Sequence, residues 1–71
     1  MNISAGHKVV IIPSDELTEL RLNELLGKPG IVLEDLTYNS RSVKGYMVFF
    51  SEMFNNEYVW FIPQNSVFEQ D

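Results

Sequence analysis

Groups able to do chemistry are few in this 71-residue chain: the sequence holds no cysteine and a single histidine, His7. Thiolate catalysis, disulfide staples and cysteine-ligated zinc are therefore excluded together. His7 has no second His or Cys to complete a metal site or a nucleophile–base pair, and beside Lys8 near the N-terminus it reads as a surface residue. Paired carboxylates can serve acid–base chemistry. Here Glu34 and Asp35 are neighbours on an expected strand and so point to opposite faces, while Glu52 and Glu57 flank a turn and keep a hairpin end soluble. The segment Gly27-Lys28-Pro29-Gly30 has a superficial likeness to a phosphate loop. It lacks the remaining spacing and the following Ser or Thr, and Pro29 removes a backbone donor. The sequence thus offers no catalytic constellation, no metal site and no cofactor motif. It points to a protein that is not an enzyme.

Charge narrows the partners. Ten acidic residues against five basic ones give a net charge of −5 and a pI near 4.6. Phosphate binding draws its affinity from clustered Lys and Arg, yet Lys8, Arg21, Lys28, Arg41 and Lys44 are scattered. The acids are spread as well, and solubility accounts for them. No apolar run reaches the ~18 residues of a membrane span, and the N-terminus lacks a basic-then-apolar signal. The reading is a soluble cytoplasmic protein that binds no membrane and whose acidic charge argues against nucleic acid as a partner.

The elements that must position any functional group follow from local signals. Lys8–Ile12, K-V-V-I-I, is a β-branched run closed by Pro13, hence a strand covered on both sides or by another element. Ser14 offers an N-cap, and Asp15 and Glu16 suit the first turn of a helix. Leu17, Leu20, Leu22, Leu25 and Leu26 follow. Gly27 can end this helix in the left-handed conformation, and Pro29 cannot continue it. Because Leu20 and Leu22 alternate, an extended loop leading into one tight turn is the other reading. Lys28-Pro29-Gly30-Ile31 suits a type II turn with φ > 0 at Gly30. Strands are then expected over Ile31–Leu36, Val43–Ser51, Glu57–Ile62 and Val67–Glu69. They are separated by a polar loop over Tyr38–Ser42, a primed turn at Asn55-Asn56 and a turn at Gln64–Ser66. No linker, repeat or low-complexity tract interrupts residues 1–71, which read as one domain.

Five short strands in so few residues fit a small barrel that hides its edges by closing on itself. Gly6-x-x-Val9-x-Ile11 followed by Leu26-Gly27-x-x-Gly30-x-Val32 resembles the KOW-type half of the SH3-like barrel superfamily. Tyr46-x-Val48-x-Phe50 and Trp60-x-Ile62-Pro63 with Ser66-Val67 resemble its closing strands. The resemblance implies a mainly β, five-stranded SH3-like barrel with one short helix or helical loop inserted after the first strand. Members of the superfamily either contact RNA or polymerase, as KOW domains do, or dock as small accessory subunits onto larger enzymes. A KOW-like RNA or ribosome contact would here rest on Lys8, Lys28, Arg41 and Lys44. The leucine-rich stretch Leu17–Leu26 replaces the short glycine- and lysine-bearing turn of the RNA-binding members, which favours the accessory-subunit implication.

The hairpin over Val43–Ile62 is apolar on both faces, whereas a barrel wall needs only one apolar side. One parity carries Tyr46, Val48, Phe50 and Phe54, with Tyr58, Trp60 and Ile62 across the turn. The other carries Met47, Phe49 and Met53, with Val59 and Phe61. A two-residue turn pairs Phe50 with Phe61, and a three-residue turn pairs Phe50 with Ile62. Lys44 and Glu52 argue for Met47, Phe49 and Met53 as core. The resemblance argues for Tyr46, Val48, Phe50, Trp60 and Ile62, and this second choice is adopted. It leaves Met47, Phe49, Met53, Val59 and Phe61 outward, where either the helix folds across them or they dock another protein or a second copy. The expected function is a non-catalytic interaction or assembly module anchored by Phe49, Met53 and Phe61.

Overall fold

A computed structural model describes residues 3–38 and 42–70. Five strands, β1 (Lys8–Ile11), β2 (Pro29–Leu36), β3 (Gly45–Phe54), β4 (Glu57–Pro63) and β5 (Val67–Glu69), form one antiparallel sheet. Their order is β4-β3-β2-β1-β5, a meander whose last strand returns to pair with the first. The expected closure into a barrel is not seen: β4 and β5 are the two ends of the sheet, with no ladder between them among the described residues.

Between β1 and β2 lie α1 (Asp15–Glu19) and a single 3-10 turn over Asn23–Leu25. Ser14 caps α1 as expected, its Oγ accepting from the Leu17 N–H at 3.1 Å. The helix is much shorter than its leucines suggest. Leu20 ends it, and Arg21 adopts φ 60°, a conformation that L-residues enter at a cost and that stops further winding. The break lets Leu17, Leu22 and Leu25 all reach one side, where they join Val9, Ile11, Val32, Val48, Phe50 and Ile62 in the buried cluster. Leu20 and Leu26 stay exposed. A side-chain contact ties this lid down: Ser14 Oγ lies 2.6 Å from Ser66 Oγ, and Ser66 is fully buried at the turn before β5.

Two local expectations need correction. Gly30 is not in a type II turn: it lies within β2, opposite Val9, and its φ is not positive. A Cβ there would sit 2.5 Å from Val48 Cγ1 and 3.1 Å from the Phe49 carbonyl oxygen. Close packing of β2 on β3 therefore demands glycine, while the left-handed position is Gly27, at φ 78°. The hairpin register is also neither of the two expected. Asn55 and Asn56, at φ 51° and 67°, form the primed two-residue turn and pair Phe54 with Glu57. Farther from the turn the register slips, so that Phe49 faces Val59 and Tyr46 faces Ile62. The surplus residues of β3 are absorbed between Phe49 and Phe54. A second irregularity lies in β2 between Val32 and Glu34, and such bulges bend a sheet around its contents. Of the expected loop between β2 and β3, Asn39, Ser40 and Arg41 lie outside the described residues.

Candidate functional site: the outer face of the sheet

Tyr46, Val48, Phe50 and Ile62 are buried under the lid, and Phe54 and Trp60 pack against the same cluster. Their rings meet at 5.5 Å in a tilted pair, and Trp60 Nε1 donates to the Glu57 carbonyl at 3.3 Å. The helical lid covers this inner side. The expectation that it folds across Met47, Phe49 and Met53 is not met, because Leu17, Leu22 and Leu25 belong to the inner cluster.

On the other side the ladders align Lys8, Ile31, Phe49 and Val59 in one row across four strands. Glu34, Met47 and Phe61 form the next row. Phe49 is 38% exposed and Met53 54%, while Met47, Val59 and Phe61 are half-buried. All five residues expected in a docking patch are thus at least partly accessible. Ile31 and Leu33 of β2 add to them, at 41% and 50% exposed. So does Tyr58, whose ring stacks on Phe49 at 5.8 Å with the planes 22° apart. Strict alternation from Trp60 assigns Tyr58 to the core; the register slip turns it outward instead. The alternation of Ile31, Val32 and Leu33 was a readable signal for β2, but no sequence rule announces the slip that frees Tyr58.

Beside Phe49 lies a depression of about 210 Å³ floored by Pro29, Gly30 and Ile31 and rimmed by Lys8, Ser51 and Gln70. Lys8 and Glu34 are exposed, and neither has an ion-pair partner among the described residues. Lys28, by contrast, lies 3.6 Å from Glu52.

The cations of the alternative nucleic-acid surface are not brought together. Lys8, Lys28 and Lys44 line three different depressions, and Arg41 lies outside the described residues. His7 accepts from the Ser4 N–H through Nδ1 at 3.1 Å and lies 3.4 Å from Glu69. Among the described residues no group of three or more His, Asp or Glu could hold a metal ion, and no helix is long and apolar enough to cross a membrane. No family model matches this chain, and no curated protein or solved structure matches it.

Proposed function

We infer that this chain is a non-catalytic interaction or assembly module of the cytoplasm, an accessory subunit or small homo-oligomer, which docks through the outer face of its sheet. Its bent meander is read as an SH3-like barrel left open between β4 and β5. The observation that carries the functional reading is the exposed Phe49–Tyr58 stack, set in a row with Ile31 and Val59 on a face that the lid leaves bare. Aromatic and Met side chains concentrate at the cores of protein interfaces, and contiguous apolar surface on a monomer marks such sites.

The test is Phe49→Ser. Burying the exposed part of one Phe ring is worth about 2 kcal/mol, or roughly thirtyfold in affinity. The variant should keep its far-ultraviolet dichroism and a cooperative melt, yet lose stoichiometric protein companions recovered with the tagged wild-type chain from nuclease-treated host extract. Collapse of the fold would move Phe49 into the core and end this reading. Loss of every companion of the wild type on nuclease treatment would favour a nucleic-acid contact instead.

A further inference from the structure

We propose that the partner of this face is a second copy of the same chain, in a two-fold dimer centred on Phe49. The inference rests on the docking reading and adds the identity of the partner.

The argument is the placement of charge. The chain as a whole is strongly acidic, so two copies repel unless the surfaces they join escape that excess. The outer face does. Among the described residues Lys8 on β1 and Glu34 on β2 are a cation and an anion with no ion-pair partner, set on two neighbouring rows of this face. Lys8 opens the row that runs through Ile31 and Phe49 to Val59, one strand short of Ile31. Glu34 stands in the next row along β2, facing Met47. With strands ~4.8 Å apart and residues ~3.4 Å apart, the line midway between Lys8 and Glu34 passes close to Ile31 and Phe49. A two-fold axis along it lays Phe49 against its own copy and brings each Lys8 to the Glu34 of the other chain. The same rotation carries Leu33 and Met47 of one copy towards the depression beside Phe49 in the other. Flexible Met side chains fill such irregular hollows well.

A face that sets the Lys8 cation and the Glu34 anion about an apolar centre is complementary to itself, whereas a uniformly basic or uniformly acidic partner would be repelled by one of the two. A two-fold interface must be self-complementary in this sense. The exposed parts of Ile31, Leu33, Phe49, Met53 and Tyr58 amount to roughly 500 Å². With the rim this approaches the ~800 Å² per partner of a standard interface, so a dimer of moderate affinity is expected.

Sedimentation velocity of the full chain from low micromolar to millimolar concentration reads the result. The wild type should shift from monomer to dimer. Lys8→Glu and Glu34→Lys, each turning two attractive pairs into repulsive ones, should each weaken dimerisation by about tenfold. The double variant Lys8→Glu/Glu34→Lys should restore it, and that rescue excludes misfolding as the cause of the single losses. A wild type that stays monomeric throughout overturns the proposal, and so do single reversals without effect or a double variant as weak as either single. The two readings are separable: a monomeric chain that retains a different protein through Phe49 refutes the dimer and leaves the docking surface standing.

Discussion

Replacing Gly30 by alanine puts a methyl group into space that β3 already occupies. The added Cβ would lie 2.5 Å from Val48 Cγ1, 3.1 Å from the Phe49 carbonyl oxygen and 3.2 Å from Phe50 Cε1. Val48 and Phe50 are buried, Val48 is β-branched with little rotamer freedom, and the carbonyl belongs to the strand itself. None of the three can yield cheaply, so the cost falls at the upper end of that for overpacking, about 3 kcal/mol. A chain of this size has about 4–10 kcal/mol of stability in all. The midpoint should therefore drop by about 12–24 °C, at ~4–8 °C per kcal/mol. Thermal and urea unfolding followed by Trp60 fluorescence and far-ultraviolet dichroism measure it. Gly27→Ala is the control, since a Cβ there meets nothing within 4 Å and the cost is only that of φ 78°, about 1–2 kcal/mol. Gly30→Asn separates the two explanations. Asparagine tolerates a left-handed turn position, so a turn at Gly30 predicts that Asn is milder than Ala. Close strand packing predicts that Asn is worse. A Gly30→Ala midpoint within a few degrees of wild type, or Asn milder than Ala, would refute the reasoning.

Further outcomes follow from the capping contact and the buried phenol. Ser14→Ala removes both the cap on Leu17 and the hydroxyl partner of buried Ser66, and should cost about 1–2 kcal/mol. Ser66→Ala in that background should cost less than Ser66→Ala alone, as double-mutant analysis of chemical melts would reveal. Burial pushes the Tyr46 phenol above its usual range, and the nearby Asp35 carboxylate pushes it further. Tyr46 should therefore ionise above the usual phenol range in a phenolate absorbance titration, and Asp35→Asn should bring it down. Because the folded state favours the neutral phenol, its contribution to stability is whole below the unfolded value of about 10 and is lost as pH rises through the folded value. A base-induced loss of stability unaffected by Tyr46→Phe would contradict this.

What the sequence determined by itself are the features set by near neighbours in the chain. The Ser14 cap needs only a hydroxyl three residues before a free N–H. The Asn55-Asn56 turn needs only two residues that accept positive φ. The short strand Val67–Glu69 needs a β-branched start after a turn. Alternation also placed Tyr46, Val48 and Phe50 on one face, but both faces are apolar, and the choice of this face as the buried one came from the resemblance and not from the residues. Tertiary structure decided everything that depends on two distant segments at once. The register between β3 and β4 slips because β3 must bend over the core, and that slip, invisible to alternation, moves Tyr58 outward onto Phe49. Gly30 looks like a turn residue until β3 is laid beside it. The leucines after β1 could have covered either face, and burial beneath the lid chose the inner one, since the break at Arg21 aims Leu17, Leu22 and Leu25 together. For the candidate site, side-chain types were readable and their exposure was not: which apolar atoms remain in water is settled only when the whole chain has used up its cover.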